Sequence, residues 1–418
     1  MGETSTILPR KTPRLTSAPL SPRHAAALTA VLGLLSVFPP LATDMYLAAM
    51  GDLAAAMQAS HGAAELSLSL FFLGLCLGQL ILGPLIDGHG RRGPLLAGTL
   101  VFAVTSALLV RVEDIAVFNA LRLVQAIGAS AGMVVSRAIV TDLYDGRRAA
   151  RVMTVLVMLL TIGPIVSPTL GSLLLQAFGW RSIFVTMTAI SLLALGLSLW
   201  LIPETLPRGA RAAAPFRQGV AAARRLLRQP GFRTPALIAG LVQGGMFAFI
   251  TGSSGVFQGI FGLGPVRYGL VFAGIAGALV LFGHLNTRLL ARHAPGRILA
   301  LGLPVYLAAA AAVVLVSGTQ TIWVLVLPLW IAVGMIGLLS ANAMALAMSE
   351  TRGGAGTGSA LLGGIQFALA FSVSAGVALG GTHSALPMGL GLLLPAAAAM
   401  LLSRQAPRLR PGAADAGS

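Results

Sequence analysis

The stretch ELSLSLFFLGLCLGQLILGPLIDGHGRRGPLLAGTLVFAVTSALLVRV, residues 65–112, decides the fold. Two apolar runs, 65–86 and 94–112, flank a short turn of glycine, aspartate, histidine and arginine. Each run is about 20 residues long, which is what a helix needs to cross a hydrocarbon core roughly 30 Å thick. A connection this short, built on glycine, fits two antiparallel helices packed side by side. The same pattern extends in both directions. Before it lies a run at 25–47, and after it come runs at 116–140, 153–176 and 181–202. A basic connector, 203–234, is followed by six more: 235–258, 268–287, 297–316, 321–346, 356–378 and 385–403. The expected fold is an all-α integral membrane protein of twelve transmembrane helices in two six-helix bundles, 24–202 and 235–403, with tails at 1–23 and 404–418.

Composition agrees. The 418 residues are 56% hydrophobic and only 10% charged, against about 25% charged in soluble domains. The net charge of +16 would suit a nucleic-acid partner, but the placement of the charges excludes one. Arg111, Arg181 and Arg267 lie in or at the edge of odd-numbered connections, and Arg122 and Arg137 fall within span 4. The other 23 of the 28 basic residues occupy the tails and the even-numbered connections. That asymmetry is expected to place both termini and the connector in the cytoplasm. Arg10, Lys11, Arg14 and Arg23 form a basic tail with no small-residue cleavage site after a short apolar core, so the first run is expected to be helix 1. In the connector, Arg217 to Leu227 has the pattern of an amphipathic helix lying on the membrane surface. The single cysteine, Cys76, excludes a disulfide within the chain.

Ionisable groups at membrane depth cost several kcal/mol by insertion scales, roughly 2.5–3.5 each, and are retained for a purpose. Asp44 follows Pro39-Pro40, whose missing N–H groups should interrupt helix 1. A carboxylate beside a broken helix is a common construction for a substrate or coupling-ion site. The competing reading is that Asp44 merely ends the helix at the interface. Arg122 lies inside span 4 with Gln125 one turn later, and needs an anion, carbonyls or water. Pairing with Asp44, broken on protonation, would make a coupling switch; a fixed ion pair is the alternative. In the turn 83–92, Asp87, Arg91 and Arg92 can pair with Asp142 and Arg137 at the end of span 4, latching one conformation. Span 5 carries Gly163, Pro164, Pro168 and Gly171, where small residues allow close helix approach. Gly74 and Gly78, and Gly128 and Gly132, repeat that spacing in spans 2 and 4.

These residues resemble the major facilitator superfamily. Its loop signature runs through Gly83, Leu85, Asp87, Gly90, Arg91, Arg92 and Leu95. Arg122, Gln125 and Gly128 are similar to the helix 4 motif linked in the family to proton coupling, and Gly163, Pro164 and Gly171 to the helix 5 motif of antiporters. Within the family the chain looks most like the bicyclomycin-resistance (Bcr/CflA) drug-efflux branch. The stretches that carry this are FPPLATDMYL (38–47), SRAIVTDLY (136–144), FGWRSIF (178–184), MFAFITGSSGVFQGIFGL (246–263) and AGTGSALLGGIQF (355–367). Gly88 stands where an arginine is usual, Ala126 where a glycine is, and Ala48 and Gly51 where prolines are. The second-half copy of the loop motif, Gly283, Leu285 and Arg288, is worn.

The resemblance implies a monomeric drug:proton antiporter working by alternating access, whose partners are a small lipophilic drug-like substrate, protons and the lipid bilayer. Asp44 and Arg122 are the candidate proton-coupling pair. Tyr46, Gln125, Phe247, Phe249 and Gln366 are candidate cavity-lining residues, since aromatics and a few polar groups suit mixed ligands; for the phenylalanines, helix packing is an equal alternative. A dedicated amino acid or sugar exporter of the same fold is the rival function. An enzyme is not expected: there is no HExxH, no Walker-type loop and no nucleophile with a base at useful spacing. No cofactor and no metal are expected.

Overall fold

The structure, a computed structural model, describes residues 22–144, 146–351 and 355–405. The basic tail residues Arg10, Lys11 and Arg14 therefore lie outside the described residues. The first crossing is assembled from pieces: α1 (Pro22–Ser36), α2 (Phe38–Asp44), a 3-10 turn (Leu47–Ala49) and α3 (Met50–Ala56). Then follow α4 (His61–His89), α5 (Arg92–Leu109), α6 (Ile115–Leu143), α7 (Gly146–Phe178) and α8 (Arg181–Leu201). The connector holds α9 (Pro215–Arg228). The second half comprises α10 (Pro230–Ser254), prolonged by a π-helical turn (Gly255–Ile260), then α11 (Pro265–Leu290) and α12 (Pro295–Leu315). It closes with α13 (Ile322–Ser349), α14 (Ala355–Leu379) and α15 (Leu386–Gln405). Among the described residues, 11 helical stretches are long and apolar enough to cross a membrane, and α7, with 33 residues, is the twelfth long helix. The protein is a multi-pass membrane protein.

Local chemistry explains the breaks. Pro39 and Pro40 occupy the first turn of α2, where their missing N–H groups leave no intrahelical bond unmade. Thr43 Oγ1 lies 3.0 and 3.3 Å from the carbonyl oxygens of Pro39 and Pro40, which lie within reach of its one hydroxyl hydrogen beside Asp44. The helix stops at Asp44, so its last carbonyls are available to other partners. Ser60 and Asp114 cap α4 and α6 through side-chain oxygens that accept from the N–H groups of Ala63 and Val117.

Helices in lipid gain little from the hydrophobic effect between them and associate mainly by packing, which favours small residues at contacts. Gly128 of α6 lies so close to α5 that a Cβ there would stand 2.7 Å from the Gly98 carbonyl oxygen and 2.8 Å from the Phe102 nitrogen. In α7, a Cβ on Gly163 would meet Pro40 at 2.9 Å, and one on Gly171 would run into the backbone carbonyl of Met45. The two motif glycines of α7 therefore seat the broken first crossing. Between the halves, α4 packs along α14 and α7 packs on α11. The α4–α14 seam is stitched by a hydrogen bond between Ser69 and Ser374 at 2.8 Å, with Ser374 also bonded to Thr251 of α10 at 2.7 Å. α9 touches α4, α10 and α14, so the connector braces both halves.

Gly171→Ala should strain this contact by about 1–3 kcal/mol, the usual cost of overpacking. The expected outcome is a lower thermal midpoint and poorer recovery of folded protein in detergent. Gly274→Ala on α11, where a Cβ meets nothing within 4 Å, should leave both unchanged.

Candidate functional site

The interior polar site is built where the broken first crossing meets α6. Arg122 is fully buried. Its Nη2 donates to the Ala42 carbonyl at 2.7 Å and its Nη1 to Gln125 Oε1 at 2.5 Å. The guanidinium carbon lies 4.4 Å from the ring centroids of both Tyr46 and Phe71, so two aromatic faces flank the cation. Gln125 Nε2 donates to Ser106 Oγ at 2.8 Å, which fixes its amide. Gln125 is thus engaged inside the first half and does not face a cavity. Tyr46 shares a 2.7 Å hydrogen bond with Ser67 of α4.

Asp44 is buried, and its Oδ1 accepts from Thr43 Oγ1 at 2.8 Å. Its Oδ2 is buried without a hydrogen-bond partner. The pairing of Asp44 with Arg122 envisaged from the sequence is not formed. The end of α2 offers the Ala42 carbonyl to the guanidinium, and the two rings and Gln125 complete its surroundings. Three residues beyond Asp44 the 3-10 turn begins, and it contacts α10 and α11 of the second half, where Tyr268 is hydrogen-bonded to Ser253 at 2.8 Å. The carboxylate consequently stands near the junction of the two halves.

One buried carboxylate was not anticipated. Glu65, one turn into α4, is only 1% exposed, and neither of its oxygens has a hydrogen-bond partner. Its closest charged neighbour is His61 Nε2 at 3.6 Å. It is the first residue of the expected run 65–86, and no role was expected of it. The signal that could have found it is the acid itself, four residues after a histidine on one helix face and followed only by apolar and small polar residues.

The proposed lining residues separate. Phe247 is at the seam, with its ring 4.3 Å from that of Phe72 and 5.9 Å from that of Phe367. Gln366 is half-buried beside them on α14. Phe249 belongs to the packing of the second half, stacked on Phe272 at 4.7 Å and fully buried, which agrees with the packing alternative given for it.

At the end of the bundle that carries the connector, Arg91 gathers the loop motif. Its Nη1 pairs with Asp87 at 2.7 Å and its Nε with Asp142 at 3.0 Å. Its backbone N–H donates to Glu204 of the connector at 2.8 Å. Burial works against the charge on Arg91, but the hydrogen bonds and charges of Asp87 and Asp142 outweigh it and hold the guanidinium above its ordinary pKa. Thr205 Oγ1 donates to Asp142 at 2.8 Å, and Arg211 lies 3.7 Å from Glu204. Arg92 points elsewhere and donates to the Leu199 carbonyl at 2.7 Å. Arg137 is half-buried on α6, and the ion-pair partner of Asp142 among the described residues is Arg91. Gly90 has φ +96, and a Cβ there would meet the Glu204 carboxylate, so only glycine fits. A Cβ on Gly83 would stand 3.2 Å from that of Ala360, across the seam.

Two helical halves meet along paired seams, with buried ionisable groups near the junction and a charge cluster at one end. The model of the Major Facilitator Superfamily matches residues 32–375, and the chain belongs to that family. It is 34% identical over 372 residues to the uncharacterized MFS-type transporter YdgK of Bacillus subtilis, covering 88% of this chain and 92% of that one. It is 30% identical over 360 residues to the bicyclomycin resistance protein homolog of Haemophilus influenzae, covering 85% and 90%. Among solved structures, a D-xylose-proton symporter superposes with a TM-score of 0.71 at 16% identity, covering 93% of this chain and 99% of that one.

A cysteine pair at Gly83 and Ala360, in a Cys76→Ala background, should cross-link readily, because the two Cβ positions are within disulfide reach. Asp142→Asn removes one of the two carboxylates on Arg91 and should slow that cross-linking severalfold, read by gel mobility under mild oxidation. Unchanged cross-linking would separate the charge cluster from the closure of this end.

Proposed function

We propose that this protein is a proton-coupled exporter of small lipophilic drugs, a drug:proton antiporter of the bacterial inner membrane with both termini in the cytoplasm. The observation that carries the reading is Asp44: a carboxylate at the end of a proline-broken helix, buried near the junction of the halves, with one oxygen unpartnered. A buried carboxylate in that setting changes its preferred state when the halves move and water or a partner reaches it. The bicyclomycin resistance named for the Haemophilus influenzae relative supports a drug as the cargo.

The cycle has no covalent step. In the outward-open state Asp44 takes a proton and drug leaves; in the inward-open state the proton leaves and drug binds. Exchange follows from each ligand having different affinity for the two states. Arg122 acts as a mechanical tie and not as the counter-ion of Asp44. It holds the Ala42 carbonyl two residues from Asp44, so movement of the end of α2 is felt directly in α6. Phe72, Phe247 and Phe367 at the seam offer drug an apolar, aromatic surface when the halves part. Arg91 and its carboxylates latch the cytoplasmic end.

In inverted vesicles energised by respiration, drug addition should release protons, followed with a pH-sensitive dye. Asp44→Asn should abolish that release at normal protein level, and normal drug resistance in cells carrying the variant would overturn the assignment. Arg122→Lys keeps the charge but loses the planar, two-point hold on Ala42 and Gln125, and should lower the transport rate at least tenfold. Silence across chemically diverse drugs would transfer the cargo assignment to a dedicated metabolite.

A further inference from the structure

Glu65 takes no part in the cycle described above, yet its surroundings are those of a proton site. It lies in the second turn of α4, at the end of the bundle opposite the connector, and is all but sealed from solvent. The seal comes from the other half of the molecule. A void with room for about one water adjoins the carboxylate, lined by Gly252 and Val256 on the α10 side and by Gly381, Thr382 and Ser384 from the α14–α15 connection. The π-helical turn after α10 carries Gly255 against the carboxylate, where a Cβ would begin 3.1 Å from Oε1. Such turns are frequent where a helix is shaped for function. A carboxylate buried without a single hydrogen-bond donor is strongly disfavoured as an anion and is stable there as the acid.

The ionisable groups near it come from its own helix, the first crossing and α11. On its own helix is His61, whose side chain remains 23% exposed and whose Nε2 is 3.6 Å from Oε1. Tyr46 of the broken first crossing is hydrogen-bonded at 2.7 Å to Ser67, two residues along α4 from Glu65, and Tyr268 of α11 is bonded at 2.8 Å to Ser253 of α10. The 3-10 turn that begins three residues beyond Asp44 contacts both α10 and α11. No charged side chain of α10, the π-helical turn or the α14–α15 connection lines the void among the described residues. Among the described residues, His61 is therefore the one ionisable group with a partly exposed side chain placed to exchange a proton with Glu65.

We propose that Glu65 is a second proton-binding site of this transporter, fed by His61, through which protons entering at the end opposite the connector reach Asp44. The assignment rests on the proton-coupled reading for its role, but the proton site itself can be observed without any cargo. Infrared difference spectra of the purified full-length protein, recorded across a pH titration, separate protonated carboxyl groups from carboxylates. One carboxylic acid band should be lost in Glu65→Gln and kept in Asp44→Asn, and its titration midpoint should move in His61→Gln. If Glu65→Gln does not accumulate, Glu65→Asp, which shortens the side chain by one carbon, identifies the same band by its displacement.

In energised inverted vesicles, Glu65→Gln should slow drug-driven proton release by roughly tenfold or more while drug binding stays within about twofold of the parent. Absence of a Glu65 band, or a band that ignores pH, overturns the proton site. A titrating band with unaltered proton release overturns the path to Asp44. A parent protein that releases no protons with any drug overturns the proposed antiport instead, and the band still decides Glu65.

Discussion

A guanidinium buried within a membrane-spanning bundle cannot be left bare, and the way Arg122 is satisfied organises the first half of this protein. Its donors reach Ala42 and Gln125, and its faces are covered by Tyr46 and Phe71. The Ala42 carbonyl is available because α2 ends at Asp44. The end of α2 can lie where it does because Gly163 and Gly171 bring the backbone of α7 against Pro40 and Met45. The prolines, the α7 glycines and the α6 arginine are thus one construction. Its by-product is a carboxylate, Asp44, held beside the construction with an oxygen to spare.

The same economy of polar groups runs through the seam between the halves. Apolar side chains gain nothing by leaving lipid for one another, so contact is made by small residues and by hydroxyls that bond across it. Ser69, Ser374 and Thr251 form a chain linking α4, α14 and α10. Cys76 donates to the Gly364 carbonyl at 3.3 Å in the same seam, which accounts for the one cysteine as a packing residue. Such a seam holds by fit and a few hydrogen bonds, and can part and re-form without stranding a large buried network.

At the connector end the balance is electrostatic. Arg91 is shared between Asp87 and Asp142 while Glu204 holds its backbone, so the loop, α6 and the connector meet on one residue. Gly88, where the family resemblance leads one to expect an arginine, is in contact with Pro215 at the start of α9: a Cβ there would lie 2.6 Å from the proline ring. The docked connector helix takes the space that a longer side chain would need. Gly219 of α9 sits likewise against Pro84. The connector is therefore packed into this end of the bundle and is not merely a tether.

Helix positions were legible because length, apolarity and proline content are local properties. Each expected span falls within an observed helical stretch or within one to a few residues of its ends, and Arg217 to Leu227 lies inside α9. The break before Asp44, the turn at Gly90 and the cluster of Asp87, Arg91 and Asp142 followed from the same local chemistry. What the sequence could not carry was which distant surface covers a given group. Asp44 and Arg122 look like natural partners by charge, yet a backbone carbonyl freed by the helix break takes the arginine. Phe247 and Phe249, two residues apart, point one to the seam and the other into the second half. Glu65 opens the expected run 65–86, and is buried because a π-helical turn and a connection some 190 and 320 residues further along the chain close over it. Local sequence determines where helices begin, break and end. The burial of a polar group, and with it its chemistry, was decided by tertiary contacts between halves, because desolvation depends on every neighbour at once and not on those nearest in the chain.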